Sequence, residues 1–194
     1  MAQFQASLPN VEVTGEGVLS VVDGMGVFKN RALKILSENG ISQPTKGQWY
    51  PQQAFLDSFR IIAETIGSKT LHAIGRKVPE NAHFPDDIND IESALQSIDV
   101  AYHMNQRLNG VPMYDPSTGK MLEGIGHYHY QKLGENKIKM KCDTPYPCDF
   151  DHGLIEAMAR KFKPPGCLFV EVRHDDTTKC RTKGDESCTY YVEW

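Results

Sequence analysis

The sequence is short of everything that would send a chain of 194 residues into a membrane or onto a nucleic acid. No apolar run approaches the ~20 residues a transmembrane helix needs, and the first ten residues hold no basic stretch followed by an apolar one. Neither a membrane span nor a secretory signal is expected. Positive charge is not in excess: 21 Lys and Arg stand against 25 Asp and Glu, a net charge of −4 that offers DNA or RNA no basic footprint. Glycine-rich phosphate loops, His-Glu-x-x-His and Gly-x-Ser-x-Gly are all missing, which argues against nucleotide hydrolases, zinc proteases and serine hydrolases of those kinds. Repeats and low-complexity tracts are missing too. What the chain does have is 40% hydrophobic and 24% charged residues, enough for a core that buries about two-thirds of the unfolded surface. A folded cytoplasmic protein is expected.

Cysteine is scarce in the first two-thirds and concentrated at the end, as Cys142, Cys148, Cys167, Cys180 and Cys188. In a reducing compartment clustered thiols point to metal ligation or reactivity rather than to disulfides. Any one of them alone would be read as a small buried hydrophobe.

Periodicity divides the chain. Val18, Val22, Met25, Phe28, Ala32 and Ile35 recur at helical spacing, as do Phe55, Phe59, Ile62 and Ile66, then Leu71, Ile74 and Val78. The firmest helix runs from Ile88 through Ile91, Leu95, Ile98 and Tyr102 to about Leu108, where Asn109-Gly110 would end it. The second half changes to a period of two. Ile138, Met140 and Cys142 alternate with three lysines after a turn at Gly134-Glu135-Asn136. Pro145-Tyr146-Pro147 breaks the chain, and a helix follows from Cys148 or Asp149 with Phe150, Leu154, Met158 and Phe162 on one side. Two more alternating segments, Leu168 to His174 and Cys188 to Trp194, complete the pattern. The fold class is α+β: N-terminal helices packed on an antiparallel sheet formed mainly by the C-terminal half, in the order strand-strand-helix-strand-strand. Residues 1–16 read as an extension and 17–194 as one domain, helical over 17–110 and carrying the sheet and metal site over 120–194.

Strand phase then selects the candidate metal ligands. Cys142, His174 and Cys188 each continue an apolar face, so in one sheet they project toward the helix that begins at Cys148, and the loop holding Cys180 can fold over the same point. Four N or S donors from different elements are what a closed structural zinc site requires. Cys148 at a helix N-terminus could instead be a reactive thiolate with His152 one turn on. His127 and His129 share a strand face and form a possible second metal pair, and His103 could contact a haem.

The region from Gly124 to Trp194 resembles the 4-vinyl-reductase-type small-molecule-binding domain. The resemblance is carried by Pro145-Tyr146-Pro147-Cys148-Asp149-Phe150 and by Cys180-x-x-x-Gly184-x-x-x-Cys188-x-Tyr190. That superfamily includes Golgi transport (TRAPP) subunits and, more distantly, haem nitric-oxide sensors. It implies a helix-walled hydrophobic pocket for an aromatic, tetrapyrrole-like or acyl ligand beside a zinc site to which Cys148, Cys180 and Cys188 correspond. The family's carboxylate position is Thr177 here, which leaves His174 and Cys142, with His152 behind them, as candidates for the fourth ligand. Phe55, Phe59, His103 and Tyr128 are the expected pocket residues. The resulting expectation is a zinc-stabilised sensory or carrier module, homodimeric, binding a hydrophobic or aromatic small molecule and signalling through a partner protein, with no catalytic residue assigned. The alternative is a metalloenzyme or haem protein with iron at an open site of His103, His127 or His129. A pure assembly scaffold is the third reading.

Overall fold

The computed structural model describes residues 3–80 and 82–194. The chain enters through strand β1 (Val11–Thr14), whose Val11 and Val13 point inward. The Thr14 hydroxyl then accepts the Gly17 amide and caps helix α1 (Gly15–Gly24). The helical stripe read from Val18 to Ile35 is two helices rather than one. Gly24 lies so close to the backbone around Ile74 that a Cβ there would sit 2.4 Å from Ile74 Cα, and Gly26 turns at φ +51° before α2 (Lys29–Glu38).

Strand β2 (Trp49–Pro51) leads into α3 (Gln52–Thr65), and Gly67 at φ +111° separates it from α4 (Ser68–Lys77). Helix α5 (Ile91–Met104) starts in a reciprocal cap, with Asp90 accepting the Ser93 amide at 2.7 Å and the Ser93 hydroxyl accepting the Asp90 amide at 3.2 Å. It stops four residues before the expected Leu108. Gln106–Leu108 is instead strand β3, and Asn109-Gly110, both at positive φ, closes a two-residue hairpin to β4 (Val111–Pro112). The resulting small sheet, in the order β2-β1-β3-β4, places β1 at an inner position. Residues 1 and 2 of the expected extension lie outside the described residues; Val11–Thr14 belong to the fold.

A short hairpin, β5 (Tyr114–Asp115) and β6 (Lys120–Met121), precedes the main sheet. That sheet comprises β7 (Tyr128–Gly134), β8 (Lys137–Cys142), β9 (Glu171–Asp175) and β10 (Cys188–Glu193), all antiparallel in the order β7-β8-β10-β9, with α6 (Cys148–Lys161) between the second and third in sequence. The α+β arrangement is therefore as expected. The strand from Leu168 is shorter than its pattern: Leu168 is 95% exposed, and pairing begins at Glu171 because β10 ends opposite it.

Register Met140↔Tyr190↔His174 sets one row across the inner face of the sheet, over which α6 lies. On its other side α6 meets α4 backbone to backbone. A Cβ on Gly75 would fall 2.1 Å from Phe150 O, and one on Gly153 2.1 Å from His72 O. No other residue type permits that approach, so these two glycines fix the depth at which α6, and Cys148 at its start, sits over the sheet.

Candidate functional site: a thiolate cluster and a histidine cluster

Four elements converge at the end of the sheet. Pro147 delivers Cys148 as the first residue of α6, Cys180 precedes a 3₁₀ turn (Arg181–Lys183) that Gly184 ends at φ +88°, Cys188 opens β10, and His174 comes from β9. One ligand atom from each lies within 4.8 Å of all the others. The sulfur separations are 2.8 Å for Cys148–Cys188, 3.7 Å for Cys148–Cys180 and 3.9 Å for Cys180–Cys188. Three thiolates at ~2.3 Å from one tetrahedral zinc ion would stand about 3.8 Å apart. Two of the three edges already have that length. The three sulfurs are buried, and His174, stacked on Tyr190 at 4.8 Å, has an Nε2 with no hydrogen-bond partner among the described residues.

The electrostatics favour anionic sulfur. A hydrogen bond from Cys148, with His174 and the Arg181 guanidinium behind it, holds the Cys188 thiol well below its usual range, while the same Cys148–Cys188 bond and burial push Cys148 up. Arg181 directs its backbone amide (3.3 Å) and Nε (3.5 Å) to Cys188 Sγ, and its Nη atoms to Asp151 and the Thr144 carbonyl. The Cys180 amide is held by Asp185 at 2.9 Å. Three thiolates on a dication leave one negative charge, and the buried arginine faces it. Such outer contacts orient metal ligands and tune them.

Cys142 is not part of this cluster. It is fully buried opposite Cys188 and Tyr128 in the ladder, a small core residue whose sulfur is not among the four converging atoms. His152 bonds the Val172 carbonyl through Nε2 at 2.8 Å and is not among the four converging residues. Thr177 bonds Asp175 in the loop.

The expected pocket residues lie in packed core. Phe55, Phe59, His103 and Tyr128 are each at most 3% exposed. Phe55 and Phe59 meet edge to face at 4.8 Å, Phe59 meets Phe150 at 5.1 Å, and Tyr102 bridges Tyr128 at 5.5 Å and Tyr146 at 5.9 Å. Within the rings, Gln52 donates to Gln106 (3.2 Å) and Gln106 to Tyr146 (3.0 Å), while Gln52 Oε1 is buried with no partner among the described residues.

A second group lies where α5 meets β7. His103 Nδ1 is 2.8 Å from the Asp99 carbonyl one turn back, and His127 Nδ1 is 2.9 Å from Asp99 Oδ2. Glu123 holds the other face of His127 at 2.9 Å. The carboxylates push His127 up despite its partial burial, whereas burial lowers His103. His129 turns away to Asp143 at 3.0 Å.

No protein-family model matches the sequence, and no curated protein does. Solved structures do. An H-NOX protein from Shewanella oneidensis in the Fe(II)NO ligation state superposes with a TM-score of 0.61 at 16% identity, over 92% of this chain and 97% of that one. An oxygen-binding H-NOX domain related to soluble guanylate cyclases gives 0.60 at 15%, over 92% and 91%. A Cs H-NOX mutant gives 0.62 at 14%, over 93% and 95%. The fold is that of the H-NOX domains.

At these identities the H-NOX likeness is one of fold. Sequence reasoning missed three side chains that complete the two clusters of this H-NOX fold: Arg181, Asp151 and Asp99. Asp99 had a readable signal, since it lies four residues before His103 on a helix and so shares its face. Arg181 had none, because nothing in a polar loop marks an arginine as buried.

Proposed function

We propose that the chain is a small-molecule-sensing domain with the H-NOX fold, whose C-terminal loop is closed by structural zinc on Cys148, His174, Cys180 and Cys188. The single observation behind the zinc is the convergence of three buried sulfurs and an imidazole from four separate elements. Bound there, zinc supplies a cross-link that orders the Asp176–Ser187 loop; the protein side chains position it and balance its charge. The sensed molecule is hydrophobic or aromatic, and to enter beside Phe55, Phe59 and Tyr146 it must displace a ring of that packed cluster, where Gln52 Oε1 offers a buried acceptor.

The second reading is haem, the group whose distortion is probed in the H-NOX family to which another structural neighbour belongs. One side chain favours it here. His103 bonds the Asp99 carbonyl through Nδ1, and its Nε2 is fully buried with no partner among the described residues, as an axial ligand would be. The space around it does not fit. Tyr102 packs against His103 at 5.2 Å, His103 lies 4.8 Å from His127, and Tyr102 in turn meets Tyr128 and Tyr146. A tetrapyrrole would have to displace several of them, a single-ring ligand only one.

Metal analysis and an absorption spectrum of protein purified from its own host separate the readings. The expected result is one zinc per chain and no Soret band, with zinc lost in Cys180→Ser and His174→Ala. Stoichiometric iron with a Soret band abolished by His103→Ala would replace this proposal with the haem reading. Native mass spectrometry of the same sample would show the sensed molecule and the homodimer through which we propose it acts on a signalling partner.

A further inference from the structure

The histidine group at the α5–β7 junction belongs neither to the thiolate cluster nor to the aromatic core. Asp99, His103 and His127 each bring a ligand atom to within 4.8 Å of the other two. Helix geometry supplies the first pair, since residues four apart on α5 present one face. The third arrives because the Tyr128 amide at the start of β7 is anchored on Asp99 Oδ1 at 2.9 Å, which pulls His127 against the helix.

Two features are those of a ligating set rather than of a hydrogen-bonded surface. His103 has zero exposure, its ring is held with Nδ1 2.8 Å from the Asp99 carbonyl and 3.7 Å from Asp99 Oδ1, and its Nε2 has no partner among the described residues. His127 is held by carboxylates on both sides, Asp99 at 2.9 Å and Glu123 at 2.9 Å. A metal-bound imidazole commonly has such a carboxylate on its far nitrogen, fixing the tautomer and raising basicity. Glu123 is itself 80% exposed, so the site opens to solvent on that side.

We propose that Asp99, His103 and His127 bind a divalent transition-metal ion, with Glu123 as the outer carboxylate on His127. Two imidazoles and one carboxylate are a donor set for zinc, cobalt, nickel or iron(II), and three protein ligands leave coordination positions for water or a small ligand. His129, paired with Asp143, is outside it, so the site differs from the His127–His129 pair read in the sequence. It shares no residue with the thiolate cluster and stands whether or not that cluster holds zinc.

Protein loaded with one equivalent of zinc is titrated with Co²⁺, followed by calorimetry and visible absorption. Binding of one Co²⁺ with weak d–d bands and no thiolate charge transfer is expected. Asp99→Asn, close in shape to the native side chain, and His127→Ala should each weaken it at least tenfold, and Glu123→Gln on the order of tenfold. Absence of Co²⁺ binding, or binding unchanged in Asp99→Asn, overturns the proposal. A strong charge-transfer band shows the ion entering the cysteines and overturns it equally. Far-ultraviolet circular dichroism shows which variants are folded, and Asp99→Asn decides the matter if His127→Ala is not. Zinc content at the cysteines, measured on the same samples, reports separately on the structural centre.

Discussion

Replacing Asp151 by asparagine isolates the most heavily buried charge pair among the described residues. Asp151 is 0% exposed and Arg181 3%, and the carboxylate takes an Arg181 guanidinium nitrogen on one oxygen and the Tyr128 hydroxyl, at 2.6 Å, on the other. Two forces compete there. Burial outweighs the downward pull of Arg181 and Tyr128 and leaves the Asp151 carboxyl at about 6. Asparagine keeps an acceptor for Tyr128 but leaves Arg181 with only the Cys188 sulfur as counter-charge. Breaking a buried pair from one side costs about 3–5 kcal/mol. The retained acceptor and the thiolate place Asp151→Asn at the lower end, about 3 kcal/mol. Alanine also strands the Tyr128 hydroxyl and adds about 1–3 kcal/mol. Urea unfolding at pH 8, with metal loading held constant, measures both. The double variant Asp151→Asn/Arg181→Met should recover much of the loss, since an apolar replacement of both partners removes the stranded charge. Wild-type stability in Asp151→Asn would refute the reasoning, because it would mean that desolvation had already cancelled the pair.

Gly153→Ala sets a methyl group 2.1 Å from a backbone oxygen of α4, so the two helices must part. About 3 kcal/mol or more is expected, seen as a fall in Tm of roughly 6–12 °C for a chain this long, and an unchanged Tm would show that the contact yields. Asp90→Ala removes the α5 cap and should cost about 1 kcal/mol at neutral pH. The Ser93 amide and hydroxyl hold the Asp90 carboxyl below its usual range, so the unfolded chain binds the proton more tightly. This stabilisation is therefore present above the unfolded value, roughly pH 4, and is lost as pH falls through the folded one. Wild type and variant should converge in acid, which denaturation curves at pH 3 and pH 7 would reveal.

Much of the site was legible as phase. Met140, Tyr190 and His174 share a row because alternation with period two leaves a strand residue no choice of face, and the structure pairs them in register. The same logic put Cys142 on that face beside Cys188, where it is, but a shared face is not shared coordination. Which sulfurs meet depends on where α6 and the Cys180 loop sit above the sheet. Gly75 and Gly153 set that height by contacts between residues far apart in sequence. The small sheet escaped notice because strands of two to four residues carry too little alternation to register, and Asn109-Gly110 serves a helix end and a hairpin equally well. Local spacing thus determined the class of fold and the faces that carry Cys142, His174 and Cys188, and the tail motif matched Cys148, Cys180 and Cys188. Only tertiary packing decided that His174 rather than Cys142 joins the sulfurs, that Arg181 is buried beside them, and that Phe55 and Phe59 pack against other rings. Burial and convergence come from surfaces meeting across the chain, which no local pattern records.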